Sequence, residues 1–126
     1  ADGDGELMST IDDLAKWNLA LMSGEIISKN QLELAWEKAK LNNGADVNGS
    51  SIVYYDENVS YGYGWFISEL MGLKAVWTPG AGPGFSTTHF TIPEKDLSII
   101  VLCNRGKFLV ADQIAQEIAI DIISKK

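Results

Sequence analysis

The chain contains one histidine and one cysteine, so few residues could do metal or nucleophilic chemistry. A zinc site needs several imidazole or thiolate ligands at short spacings, which His89 and Cys103 alone do not provide. A Ser-His-Asp triad would have to use His89, which lies in the middle of a predicted strand on the same face as Phe85 and Thr87. We expect a structural or surface role for His89, an inert thiol at Cys103, no metal and no cofactor.

A glycine-rich segment is the second candidate for chemistry. Residues 78–84 (TPGAGPG) hold three glycines and two prolines. The spacing fits neither the dinucleotide-binding fingerprint nor the P-loop, and no helical pattern follows it. Glycine suits a loop with unusual backbone angles, and it also lets the main chain approach a ligand closely. We predict a loop over residues 78–84, with both interpretations open.

Charge restricts the partners. Ten Lys and Arg residues against seventeen Asp and Glu residues give a net charge of −7. Nucleic acids and anionic membrane surfaces both select basic footprints. The longest apolar run covers residues 99–103, whereas a membrane helix needs about 20 apolar residues. We therefore expect no nucleic-acid partner and no membrane segment in this chain. It begins Ala-Asp-Gly without an initiator Met, from which we expect a piece of a longer protein.

Periodicity predicts two helices, then strands, then a third helix. The first helix should begin after Thr10 and end at Gly24, and the second should begin at Ser28 and end near Asn42. Strands are predicted over residues 52–55, 61–67, 74–77, 85–92 and 97–103, with turns at 71–72 and 93–96 and a helix over 108–124.

This order predicts an α+β fold, an antiparallel sheet meander flanked by helices that pack on one side of the sheet. A length of 126 residues favours one domain. The composition changes near residue 50. We therefore divide residues 1–126 into a helical segment, 1–50, and a segment of antiparallel strands with a C-terminal helix, 51–126.

Four segments, in order along the chain, resemble motifs of the serine β-lactamase family. That family includes class C β-lactamases, DD-carboxypeptidases, other penicillin-binding proteins and related esterases. The segments are residues 3–17 (GDGELMSTIDDLAKW, similar to G-x-G-x-hydrophobic-x-S-T-x-x-D-L-A-K/R-W), 61–65 (YGYGW, similar to Y-G-x-G-W), 76–86 (VWTPGAGPGFS, similar to H-T/S-G-G-x-x-G-F-S) and 102–104 (LCN, similar to L-x-N). The resemblance implies a partial β-lactamase/transpeptidase-like fold, the C-terminal portion of such a domain.

The resemblance also implies what the chain lacks. The family's Ser nucleophile and Lys base (S-x-x-K) and its Y-x-N motif lie upstream, and neither pattern occurs in this sequence. We therefore expect the chain alone to be catalytically inactive. The intact protein would hydrolyse a β-lactam, a D-Ala peptide or an ester, so its partner would be a small-molecule or peptidoglycan-like substrate. The family implies an extracytoplasmic or cell-envelope location, whereas the residues themselves assign none.

The family's third motif is altered here. Family members place Lys or His, then Thr or Ser, then Gly on a strand that lines the site, and the corresponding residues resemble Thr78, Pro79 and Gly80. Thr carries no positive charge, and Pro offers neither a hydroxyl nor an N–H. By resemblance the backbone N–H of Ala81 belongs to an oxyanion hole, and Gly82 is a further substrate-binding position. These departures favour a substrate without a carboxylate.

Two other interpretations stay open. The chain could be a non-catalytic peptide- or glycan-binding member of the same fold, with Trp65, Trp77 and the glycine-rich segment as its binding surface, or a purely structural domain. Core packing is the commoner use of such aromatic residues. A partial fold would expose a sheet edge, and exposed edges invite pairing, so we also expect a homodimer of the fragment.

Overall fold

A computed structural model describes residues 5, 7–49, 58–107 and 109–125. Within these ranges the chain forms three helices and one five-stranded sheet, which confirms the α+β class. The elements are α1 (Ile11–Ser23), α2 (Lys29–Ala35), β1 (Ser60–Tyr61), β2 (Phe66–Leu70), β3 (Leu73–Gly82), β4 (Phe85–Ile92), β5 (Leu97–Cys103) and α3 (Val110–Ser124). A short 3-10 turn, Pro93–Lys95, joins β4 to β5.

Side-chain caps begin the first two helices where the sequence predicts them. The Thr10 hydroxyl accepts a hydrogen bond from the backbone N–H of Asp13 (3.2 Å). At α2, the Ser28 hydroxyl accepts from the N–H of Gln31 (3.3 Å), and Oε1 of Gln31 accepts from the N–H of Ser28 (3.0 Å). Gly24 ends α1 in the left-handed conformation, with φ of 88°. Both helix starts and the first helix end are therefore confirmed.

Helix α2 ends at Ala35, well before the predicted end near Asn42. The reason lies in the backbone of Ala39. Its N–H donates to the carbonyl of Tyr61 (2.9 Å), and its carbonyl accepts from the N–H of Val47 (2.8 Å). These long-range bonds replace the helical ones and hold the segment beside the sheet.

The sheet is a meander in the order β1-β2-β3-β4-β5, and every neighbouring pair is antiparallel, as predicted. The predicted strand over residues 61–67 is instead split into β1 and β2 by a turn, in which the N–H of Gly62 donates to the carbonyl of Trp65 (2.8 Å). The strand predicted over residues 52–55 lies outside the described residues.

Helices cover both faces of the sheet, so the prediction that they pack on one side is wrong. Ala75 and Trp77 pack with Ala115 of α3. Val76 points the other way and packs with Leu21 of α1 and Leu32 of α2. Three consecutive residues of β3 are thus buried, and since side chains alternate between faces, both faces need a cover.

The loop predicted over residues 78–84 is also corrected, because β3 continues to Gly82. Its pairing with β4 runs from Val76↔Thr91 to Gly82↔Phe85. Pairing with β2 on the other side stops at Phe66↔Trp77. Proline is tolerated at edges of sheets, and among the described residues β3 has a strand neighbour at Pro79 on the β4 side only. The second half of β3 is therefore a strand with one open side.

Candidate functional site

The second half of β3 brings all five predicted site residues together. Thr78, Pro79, Gly80, Ala81 and Gly82 follow one another along the part of the strand that β2 leaves uncovered. Thr78, Ala81 and Gly82 are exposed, and Pro79 and Gly80 are half-buried. Backbone groups on this open side can meet a bound molecule, as at any strand edge.

Contacts with neighbouring elements fix the beginning and the middle of this segment. The Thr78 hydroxyl donates to the carbonyl of Gly64 (3.1 Å), which links the strand to the turn between β1 and β2. A Cβ atom at Gly80 would collide with the Thr87 hydroxyl on β4. Glycine at position 80 therefore allows β3 and β4 to approach closely at the site.

The loop after β5 packs against the turn between β3 and β4. A Cβ atom at Gly106 would lie only 2.7 Å from the backbone nitrogen of Gly84. This approach brings Arg105 and Lys107, both exposed, to the tip of the site. Residues 75–93 contain no Asp, Glu, Lys or Arg, so β3, β4 and their turn bring no carboxylate to this tip. Neither cation could be assigned to the site from the sequence, because only the tertiary contact between the two loops brings them there.

The cations are nevertheless distant from Thr78. Thr78 and Gly82 are four residues apart on an extended strand, which corresponds to roughly 13 Å. The loop that carries Arg105 and Lys107 contacts the Gly82 end. The side chain at the other end of the segment, Thr78, is thus neutral and has neither of these cations beside it.

His89 lies directly opposite Thr78 in the β3–β4 register. Its Nε2 donates to Oδ1 of Asn18 on α1 (2.8 Å). The rings of Trp17 and Trp65 contact the imidazole edge-on, with centroid distances of 5.6 and 5.4 Å. Burial lowers the pKa of His89 from 6.5 to about 4, so the imidazole is neutral at pH 7. These are the contacts of a structural histidine.

The aromatic side chains considered for a peptide- or glycan-binding surface are not available. Trp77 is 1% exposed and Trp65 is 9% exposed, and both belong to the core. Nε1 of Trp77 donates to the Ser68 hydroxyl (3.1 Å). The interpretation of these two residues as a binding platform is therefore wrong, and their role is packing.

The described ranges offer neither a metal cluster nor a membrane helix. No three His, Cys, Asp or Glu side chains in them are close enough together to hold a metal ion. None of the described helices has the length and apolar character needed to cross a bilayer. Cys103 is half-buried and unbridged.

Comparison with known proteins identifies a family and one curated relative that this chain resembles. A family model described as Beta-lactamase matches residues 1–121. Penicillin-binding protein 4* of Bacillus subtilis (strain 168) is 31% identical over 105 residues, which are 82% of this chain and 20% of that protein. The chain thus spans about a fifth of the length of this curated relative. No solved structure gives a significant match.

Proposed function

The chain belongs to the Beta-lactamase family, and from that premise we propose that it forms one wall of the substrate site of a β-lactamase-like serine hydrolase. The observation that carries the proposal is the open, glycine-rich end of β3, where residues 78–82 have a strand neighbour on one side only within the described part of the chain. The nucleophile and base are assigned to residues that precede Ala1 in the gene. The matching relative, five times longer than the matched region, supports that assignment.

The role of this wall in hydrolysis follows from its backbone. When a serine Oγ attacks a carbonyl carbon, the carbonyl oxygen becomes an oxyanion, which backbone N–H groups stabilise. The N–H of Ala81 is proposed as one such donor. Gly80 and Gly82 carry no side chain between the strand and the bound molecule. Because this role needs only main-chain atoms, it survives the loss of the family's Lys or His and Thr or Ser at positions 78 and 79.

The charge of the site favours an ester or amide substrate that has no carboxylate near Thr78. Thr78 is neutral, and the imidazole opposite it, His89, is also neutral at pH 7 because burial lowers its pKa to about 4. Recognition of a carboxylate is strongest with a cationic donor. Benzylpenicillin and D-Ala-terminated peptides would therefore be poor substrates of the intact protein compared with a neutral ester.

The first test uses the chain as it stands. It is incubated with nitrocefin, with p-nitrophenyl acetate and with a fluorophosphonate, and turnover and intact mass are measured. We expect hydrolysis no faster than with a boiled control, and no covalent adduct. Turnover well above the control, or an adduct on any of the chain's own serines, would refute the proposal that the nucleophile lies elsewhere.

A second test addresses the intact protein. The gene sequence before Ala1 should encode S-x-x-K and then Y-x-N, and absence of both would favour a non-catalytic binding protein. In the intact enzyme we expect a higher kcat/KM for neutral esters than for nitrocefin. Thr78→Lys should raise kcat/KM for nitrocefin about tenfold, the size expected for one charge-assisted hydrogen bond. Thr78→Gln, which adds length without charge, is the control and should leave kcat/KM for nitrocefin unchanged.

A further inference from the structure

The turn between β1 and β2 packs closely on the end of α2. The N–H of Tyr63 donates to the carbonyl of Ala35 (3.2 Å). A Cβ atom at Gly62 would lie 2.6 Å from the carbonyl oxygen of Ala35 and 2.7 Å from that of Glu37, closer than an ordinary contact allows. Position 62 therefore requires glycine, and the backbone of the turn is held against the helix.

The same turn is also tied to the site strand. Pairing of β2 with β3 ends at Phe66↔Trp77. One residue further along β3, the Thr78 hydroxyl donates to the carbonyl of Gly64 (3.1 Å). Gly64 has a φ of 82°, in the left-handed region that favours glycine, and here the chain turns away from β3. The turn therefore forms the boundary of the site at its Thr78 end.

This turn presents an aromatic side chain beside the site. Of the three aromatic residues in the segment 61–65, Tyr61 is half-buried, Trp65 is buried and Tyr63 is 78% exposed. Because α2 and β3 hold the backbone on both sides of Tyr63, the position of its ring is restricted before any ligand binds. A tyrosine has few rotatable bonds, so such a ring can contact a bound molecule at a small cost in conformational entropy.

We propose that Tyr63 is a substrate-binding residue that selects esters or amides with an aromatic group at the Thr78 end of the site; this inference rests on the proposed hydrolytic function. The Thr78 hydroxyl already donates to Gly64, so it is engaged within the protein. At this end the site therefore offers the ring of Tyr63 rather than a cation. Contact between two aromatic rings contributes stabilisation beyond that of the buried area alone.

The length of β3 determines where that aromatic group lies in the substrate. Ala81, the proposed oxyanion-hole donor, is three residues from Thr78, which corresponds to roughly 10 Å on an extended strand. A ring attached directly to the reacting carbonyl would remain near Ala81. A ring joined to that carbonyl by a linker of several bonds can reach Tyr63. The preferred substrate is therefore an ester or amide with an aromatic group on such a linker.

Ester selectivity of the intact enzyme tests this assignment. Ethyl 4-phenylbutyrate is compared with ethyl butyrate, and 4-phenylbutyl acetate with butyl acetate, so that the phenyl ring lies on the acyl side in one pair and on the alcohol side in the other. For one of the pairs we expect the wild type to favour the phenyl ester about fivefold in kcat/KM. Tyr63→Ala should bring this ratio close to one. Tyr63→Phe, which keeps the ring, should retain the preference.

Met71→Ala is the matched control. Met71 is also a large exposed side chain in a turn at one end of β2, but at the end remote from Thr78, and it should leave the preference unchanged. A preference that persists in Tyr63→Ala, or that Met71→Ala removes equally, would overturn the role of Tyr63 and leave the hydrolytic function standing. Hydrolysis of none of the four esters by the wild type would instead refute the hydrolytic function, and the role of Tyr63 with it.

Thermal unfolding of the same intact variants tests whether the rest of a longer chain covers the Tyr63 ring. A ring that meets substrate contributes little to the stability of the free protein, because it remains in contact with water. We therefore expect Tyr63→Ala and Met71→Ala to have similar Tm values. A clearly lower Tm for Tyr63→Ala would mean that the ring is packed inside the intact protein, and it would overturn the proposal.

Discussion

Nε2 of His89 on β4 donates a 2.8 Å hydrogen bond to Oδ1 of Asn18 on α1, joining residues 71 positions apart. The bond anchors α1 on the sheet at the strand position opposite Thr78. Trp17 and Trp65 enclose the imidazole, and this burial lowers the pKa of His89 to about 4. The folded state therefore disfavours protonation of His89. Lowering the pH should accordingly weaken the contact between α1 and β4.

Acidification from pH 7.5 to pH 5 should destabilise the protein through His89. Its pKa is about 4 in the folded chain and 6.5 for a fully hydrated histidine, so the unfolded state binds the proton first as the pH falls. The contribution of His89 to stability is complete above pH 6.5 and is lost between pH 6.5 and 4. At pH 5 the loss amounts to about 2 kcal/mol by linkage. Urea unfolding at the two pH values measures it.

The variant His89→Gln separates this effect from other titrations. Gln retains a donor for Asn18 but takes up no proton, so its free energy of unfolding should change less than that of the wild type over the same pH range. His89 is the chain's one histidine, so its imidazole NMR resonance is assigned without ambiguity. A midpoint near 6.5 in that titration would contradict the prediction, as would identical pH dependence in the two proteins.

Asn18→Asp should raise the pKa of His89. The substitution places a carboxylate where the amide oxygen now accepts from Nε2, and an adjacent negative charge favours the protonated imidazole. We expect the pKa of His89 to rise from about 4 by at least one unit, measured by the same NMR titration. Asn18→Ser, which has no charge, is the control. An equal midpoint in both variants would show that burial alone sets this pKa.

The sequence predicted those parts of the fold that depend on local interactions. The caps at Thr10 and Ser28 and the turn before β5 follow from neighbouring residues, and they lie where predicted. The early end of α2 and the two-sided burial of β3 could not be predicted in this way, because both depend on partners that are distant in sequence. Ala39 bonds to Tyr61, and Val76 packs against Leu21, contacts that no periodicity within one segment reveals.

Asp112→Asn should stabilise the protein at pH 7. Asp112 is fully buried in the first turn of α3, and neither carboxylate oxygen has a hydrogen-bond partner of ordinary geometry among the described residues. Burial raises the pKa of this carboxyl, and the nearby Thr88 hydroxyl offsets the rise only in part. The folded state therefore disfavours the ionised form, at a cost on the order of 1 kcal/mol for a buried group without a partner. Thermal unfolding at pH 7 should show a higher Tm for the variant.

The pH dependence supplies the control for Asp112. Because the folded pKa is raised above 3.8, the wild type loses stability as the pH rises from 3.8 through the folded pKa, whereas the Asn variant does not. The difference in Tm between the two should accordingly disappear below pH 3.8. A variant that is less stable than the wild type at pH 7 would mean that the carboxylate is paired in solution.

The candidate site also has a part that the sequence predicts and a part that it does not. Thr78 to Gly82 could be identified from sequence because their order resembles a family motif, and one strand holds them together. Arg105 and Lys107 could not be identified from sequence, since only the contact between Gly106 and Gly84 brings their loop to this strand. Asn18 could not either, because nothing near it in sequence indicates His89 as its partner. Contacts between loops and between layers are the part that sequence patterns do not encode.

Gly106→Ala should separate the two loops at the tip of the site, whereas Gly82→Ala should not. The new Cβ at 106 would lie 2.7 Å from the nitrogen and 3.1 Å from the Cα of Gly84, and backbone atoms cannot move aside cheaply. We expect a loss of about 1–3 kcal/mol, the usual cost of overpacking. A Cβ atom at Gly82 would have no atom of the described residues within 4 Å beyond its chain neighbours, and the φ of Gly82 is not in the left-handed region, so the change should be within about 0.5 kcal/mol. Urea unfolding compares the two, and equal stability would contradict the close packing of residues 104–107 on the β3–β4 turn.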